Sequence, residues 1–177
     1  MTRDQLEHAI RAACDVAEDS EVWVFGSQAI LGEFPDAPED LRASIEVDMQ
    51  PKNRPDKADL IDGALGELSQ FYKIHNFYVH GLLIDGSALP KGWESRAKPV
   101  VDEISTRGKI GWCVEAHDLA ANKLAAYREK DRDFARTLLI EGMIVANTLI
   151  ERINLLKIDE ELRERLIQWI QNTIEEL

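Results

Sequence analysis

Residues 44–50 read Ser-Ile-Glu-Val-Asp-Met-Gln, so that Ile45, Val47 and Met49 alternate with Glu46, Asp48 and Gln50. A period of two belongs to a β-strand covered on one side, because successive side chains point to opposite faces of the pleat. A helix would scatter those three apolar residues around its circumference. The chain therefore needs a sheet with one buried face, and Glu46 and Asp48 share the other. Pro51, Asn53 and Pro55 end the run.

The neighbouring segments supply partners for such a strand. Glu21–Phe25 is a short apolar run that stops at Gly26 and reads as a buried strand. Phe77–Ile84 reads as another, stopped by Asp85-Gly86, and Val100–Ile104 with Ile110–Val114 reads as a hairpin around Arg107-Gly108. Helices come between. Thr2-x-x-Gln5 is a capping-box pattern, followed by Leu6, Ile10, Ala13 and Ala17 at helical spacing, which predicts a helix over roughly residues 3–18. Ser27–Leu31 looks like a helix start broken at Gly32, and Glu33–Asp40, with Pro35 and Pro38, is an acidic irregular loop. Lys57–Leu68 reads as a helix.

From Ala116 onward the pattern is helical alone. Ala116–Glu141 is one helix or two, with Gly142 as its stop. Val145, Leu149, Ile153 and Leu156 mark a further amphipathic helix, and Asp159 caps a last one carrying Leu162, Leu166, Trp169, Ile170 and Ile174. The expectation is an α/β (α+β) fold, a mixed sheet of four or five strands flanked by helices, over residues 1–115. A helical C-terminal part, 116–177, is expected to pack on that core.

A chain of 177 residues, 45% hydrophobic and 31% charged, has the composition of one globular domain. Its formal net charge of −12 argues against broad DNA or membrane binding, since polyanions are repelled, while leaving room for a local basic pocket. Cys14 and Cys113 lie far apart in apolar patterns, without metal-ligand spacing, and read as core thiols. The polar start Met-Thr-Arg-Asp-Gln and the shortness of every apolar run predict no signal peptide and no membrane span, hence a cytoplasmic protein.

Two segments carry chemistry. Val22–Ser27 is a strand entering a Gly26-Ser27 turn at a helix start, where backbone N–H groups and the helix dipole suit a phosphate; an ordinary strand-to-helix connection with Ser as cap is the plain alternative. Glu46-Val47-Asp48 places two carboxylates on one strand face, the usual means of holding Mg²⁺ (or Mn²⁺) with nucleotide phosphates; the plain alternative is the solvent face of an edge strand. His80 falls within a strand and could approach the same face, though a lone histidine there reads first as a hydrogen-bonded structural residue; Asp85 reads as the first residue of an Asp-Gly turn. Trp93, after Pro90-Lys91-Gly92, reads as a loop anchor, with a base-pocket role as its rival. Lys123, Tyr127 and Lys130 fall on one helical face by i+4 and i+7 spacing. With Arg128, Arg132 and Arg136 that makes five basic residues within 123–136, either a solvated face or a phosphate-facing one.

The order of these segments resembles the nucleotidyltransferase superfamily, and more closely its uncharacterised branch near the AbiEii-type abortive-infection toxins. The resemblance rests on Phe25-Gly26-Ser27-Gln28-Ala29-Ile30-Leu31-Gly32 and Ser44-Ile45-Glu46-Val47-Asp48, then on His117–Leu124 and Arg128–Phe134. It implies metal-dependent transfer of a nucleoside monophosphate from an NTP to an acceptor hydroxyl or RNA end, in the manner of the toxin of a toxin–antitoxin pair. By that likeness Gly26 and Ser27 hold the triphosphate, Glu46 and Asp48 bind metal, Lys123 contacts phosphate, and Asp133 supplies a further acid; a third carboxylate, which active members often carry on a later strand, has Asp85 or no residue as its candidate. Two departures stand out: Glu rather than Asp at position 46, and 18 residues between Ser27 and Glu46, longer than the family's spacing. The glutamate at 46 and the unassigned third acid leave room for a protein that keeps the fold as an inactive binding or regulatory module. A third reading is an interaction module whose tail, net −4 over 159–177 (six acids, two bases), meets a basic partner.

Overall fold

The computed structural model describes residues 1–176, the side chain of Ser87 excepted. It is an α+β fold whose five-stranded mixed sheet leads into a helical C-terminal part. The chain forms two compact units. One comprises Met1–Ile84 with Ala97–Glu115; the other comprises Asp85–Arg96 with the chain from Ala116 onward.

In the sheet unit, helix α1 (Arg3–Ala17) opens with the expected capping box: Thr2 Oγ1 accepts from Gln5 N while Gln5 Oε1 accepts from Thr2 N. Strand β1 (Glu21–Phe25) follows, then β2 (Glu46–Pro51), α2 (Ala58–Leu65), α3 (Gln70–His75), β3 (Tyr78–Gly81), β4 (Lys98–Val100) and β5 (Ile110–Cys113). The strand order is β3-β2-β1-β5-β4. β1 pairs antiparallel with β2 and parallel with β5, β2 pairs parallel with β3, and β4 is antiparallel to β5.

One face is covered. Val22, Val24, Val47, Met49, Val79 and Cys113 are buried with Leu6, Ile10 and Ile61 from the helices. Glycine marks the closest approaches: a Cβ at Gly111 would lie 2.3 Å from Ile10 Cδ1, and one at Gly81 would lie 2.2 Å from the Ala58 carbonyl oxygen. Burial pushes both thiols, Cys14 and Cys113, up to about 12, which leaves them inert core groups. The other face is half-buried and carries Trp23, Phe25, Glu46, Asp48, Tyr78, His80 and Trp112. At its end away from Gly26, Lys52 Nζ lies 5.2 Å from the Trp23 ring and 4.8 Å from that of Trp112 while pairing with Glu21.

Several boundaries differ from the sequence reading. The hairpin strands pair only at Lys98–Val100, and residues 101–109 form a loop. There Asp102 Oδ1 accepts from Ile104 N and Ser105 N, and Thr106 Oγ1 donates to the Asp102 carbonyl. These local bonds outcompete a ladder. α2 stops at Leu65, before Gly66, and Ser69 then caps α3, which has no counterpart in the periodicity. β3 is shorter than Phe77–Ile84, although Ile84 N still donates to Gln50 Oε1.

In the helical unit, α4 (Ala116–Ala126), α5 (Glu129–Ile140), α6 (Ala146–Asn154) and α7 (Glu160–Glu175) bury Leu119, Leu124, Leu138, Leu149, Ile153, Leu166 and Ile170. The two-helix alternative for 116–141 holds: Tyr127, at φ 52, breaks the run. Residues 85–96 belong with these helices. Arg96 donates to both oxygens of the fully buried Asp118 at 2.8 and 2.9 Å, and Lys91 N donates to the Leu155 carbonyl. Arg152 Nε sits 3.2 Å from Asp118 Oδ1, within ion-pair range but outside hydrogen-bond geometry. Trp93 is buried here as a loop anchor. No described helix is long and apolar enough to cross a membrane.

Candidate metal centre

The antiparallel register of β1 and β2 sets Phe25 opposite Asp48, so the aspartate lies beside the residue at which β1 ends. The residue that follows is Gly26, with φ 68 and ψ −172, a backbone region open essentially to glycine alone. A Cβ there would fall 2.1 Å from Asp48 Oδ2. Glycine at position 26 is thus required twice, by backbone shape and by the carboxylate beside it.

The parallel register of β2 and β3 sets Glu46 opposite Tyr78 and Asp48 opposite His80. All four side chains share the half-buried face. His80 Nδ1 lies 3.3 Å from Asp48 Oδ1 and 3.8 Å from Glu46 Oε1. One ligand atom from each of Glu46, Asp48 and His80 falls within 4.8 Å of the others, the only such group of three or more among the described residues. Tyr78 donates its hydroxyl to Glu46 Oε2 at 2.5 Å, which fixes that carboxylate and pushes the phenol well above its ordinary range.

The charges are crowded. Burial first, and then the Glu46 carboxylate, raise the Asp48 carboxyl to about 6, with His80 opposing. A cleft of about 470 Å³ is lined by Glu46, Tyr78 and His80 from the sheet, by Asp62 from α2, and by Glu67 and Ser69 from the turn before α3. Its acids outnumber its bases.

Beyond Gly26 the expected helix is a six-residue 3-10 turn, Ser27–Gly32, closed by Ala29 N donating to the Gly26 carbonyl. The helix-dipole contribution therefore shrinks to the first N–H groups of a short turn. Ser27 is half-buried at its start. The side chain of Gln28 is fully buried, and neither its Nε2 nor its Oε1 has a hydrogen-bond partner among the described residues.

Of the sequence-named residues, Gly26, Glu46 and Asp48 come together, and His80, read as structural, joins them. Its signal was the Tyr78-Val79-His80-Gly81 alternation, which names the face but not the neighbour. Lys123 and Asp133 belong to the helical unit. Lys123 Nζ lies 3.6 Å from Asp131 Oδ1 and 5.1 Å from the Phe134 ring centre. Asp131 is the buried acid of that segment and also takes Arg128, whereas Asp133 is exposed. The break at Tyr127 also removes the continuous face on which Lys123, Tyr127 and Lys130 were expected. Asp85 is exposed and opens a turn, its carbonyl accepting from Ala88 N.

Comparison with family models, curated proteins and solved structures finds no match to this chain.

Proposed function

We propose that the chain is a metal-dependent nucleotidyltransferase-type enzyme, moving a nucleoside monophosphate from an NTP to an acceptor hydroxyl. The observation that carries the reading is the meeting of Asp48 with Gly26. A turn that only glycine can form lies against a carboxylate that belongs to a three-residue ligand cluster. Cation and phosphate would then share one corner of the sheet.

The donor atoms fit a divalent ion. Two carboxylates suit Mg²⁺ or Mn²⁺, and an imidazole in the set shifts the preference toward Mn²⁺. When bound, such an ion neutralises charge developing on the transferred phosphoryl group. The chain's own residues do the rest. Gly26 admits the Asp48 carboxylate close to the backbone, Tyr78 orients Glu46, and His80 and Asp48 hold each other in place. In the transfer the acceptor oxygen bonds to the α-phosphorus while that atom's bond to the pyrophosphate oxygen breaks, and the hydroxyl proton passes to solvent. Because Glu46, Asp62 and Glu67 line the cleft, a triphosphate would be repelled without a cation, so nucleotide binding should be strictly cation-dependent.

A second reading has one observation behind it. His80 stands opposite Asp48 on the later strand, where the resemblance leads one to look for a third carboxylate. That favours a protein that binds nucleotide and metal without turnover. An RNA acceptor and an antitoxin partner enter from the resemblance alone. Incubation with each labelled NTP, total tRNA and either Mn²⁺ or Mg²⁺ tests the first reading: label transfer is expected, faster with Mn²⁺, and lost in Asp48→Ala. Cation-dependent NTP binding without transfer supports the second. A folded protein that binds no NTP in calorimetry refutes both.

A further inference from the structure

Positive charge collects at one bend of the helical unit. Between α4 and α5 the chain turns at Tyr127, whose sequence neighbours Ala126 and Arg128 help line a cleft of about 340 Å³. Lys123, Arg128 and Lys157 contribute to its walls, with Asp131 as the acid. Lys123 and Arg128 share that carboxylate. The Tyr127 ring carries two guanidinium groups, Arg132 from α5 at 4.8 Å and Arg165 from α7 at 4.3 Å. Arg132, Arg165 and the exposed Lys157 have no carboxylate within ion-pair distance among the described residues.

Five cations therefore surround this bend against one buried acid, in a chain of net charge −12. Two guanidinium groups on one ring gain cation–π attraction but repel each other, a tension that an oxyanion between them would relieve. The arrangement also repeats. One helical turn further on, Arg136 of α5 lies 5.9 Å from the ring of Trp169 on α7, while also pairing with Glu176. Four residues of helix advance about 6 Å, so arginine and aromatic side chains recur together along the α5–α7 face. A repeating polyanion fits that ladder better than a single small anion does. The planar guanidinium groups held over these rings offer a surface on which bases stack, which an acidic peptide could not use.

We propose that the α4–α5 bend and the adjoining α5–α7 face bind the phosphodiester backbone of a single-stranded nucleic acid. This binding stands apart from the transfer reading, since it needs neither the carboxylate cluster nor a cation. The test uses the full chain in EDTA, with fluorescence anisotropy of a labelled mixed-sequence single-stranded RNA between 50 and 200 mM salt. Binding is expected to weaken at least tenfold in the double variant Arg132→Gln/Arg165→Gln. The slope of log K against log salt should become shallower by about 1.4, roughly 0.7 for each lost phosphate contact. Lys130→Gln, on α5 but outside the cleft lining, should stay within twofold of wild type. Should the double variant lose helicity, Lys157→Gln at the exposed rim should weaken binding several-fold and lower the slope by about 0.7. Absence of RNA binding by the wild-type chain at 50 mM salt would overturn the proposal, as would unchanged affinity in the variants. Competition by poly-glutamate as effective as that by RNA would overturn it too, in favour of an acidic protein partner.

Discussion

Replacing Asp48 by Asn should stabilise the cation-free protein above neutrality and remove its response to Mn²⁺. The Asp48 carboxyl is raised from its ordinary 3.8 to about 6, by burial first and by Glu46 second. A carboxyl raised on folding favours the proton-bound state. Its contribution is therefore fully present below about pH 4 and is lost as the pH climbs through 6. At 1.36 kcal/mol for each pH unit, the ionised group then costs the folded state roughly 3 kcal/mol. Asn keeps the shape without the charge but gives up the attraction of His80, so the expected net gain at pH 8 in EDTA is about 1–2 kcal/mol. For a chain of this size that corresponds to a rise in Tm of roughly 3–6 °C. Near pH 4 the two proteins should melt within about 0.5 kcal/mol of each other. Mn²⁺ at a hundred times its Kd should add about 2.7 kcal/mol to the wild type and almost nothing to Asp48→Asn. Thermal or urea denaturation at both pH values, with EDTA or Mn²⁺, reads all four quantities. If the variant is the less stable protein at pH 8 in EDTA, or if Mn²⁺ stabilises both alike, the crowded-carboxylate argument is wrong.

Two further changes test the geometry. Gly26→Ala puts a methyl group 2.1 Å from Asp48 Oδ2 and forces φ 68 on a residue with a side chain. It should lose about 2–4 kcal/mol in urea denaturation and bind Mn²⁺ at least tenfold more weakly; wild-type behaviour in both assays would refute the close approach. Asp118→Asn leaves Arg96 and Arg152 beside a buried neutral group. It should cost the helical unit about 3 kcal/mol and expose residues 85–96 to protease, whereas an unchanged digestion pattern would show that the buried pair does not hold that segment.

What could be read in advance was whatever depends on near neighbours in the chain. The period-two run at 44–50 sufficed to put Glu46 and Asp48 on one strand face, and Thr2 with Gln5 announced the start of α1. Bonds that compete locally with regular structure were harder to foresee. Asp102 turns 101–109 into a loop where apolar residues suggested strand, leaving Ile104 85% exposed. Tyr127 adopts a positive φ that nothing in its own type requires, and so breaks a helix whose periodicity runs on.

The position of His80 depends on register, which a strand's own sequence leaves open. A slip of one residue would turn His80 to the covered face and Gly81 to the open one. The structure shows what forbids that slip. At Gly81 even a Cβ would lie 2.2 Å from the Ala58 carbonyl oxygen and 2.7 Å from Asp62 N, because α2 closes directly onto this point of the sheet. An imidazole has no room there. The glycine that lets α2 pack on β3 is thus also what holds His80 across from Asp48. The third ligand of the cluster follows from a packing contact on the opposite side of the sheet.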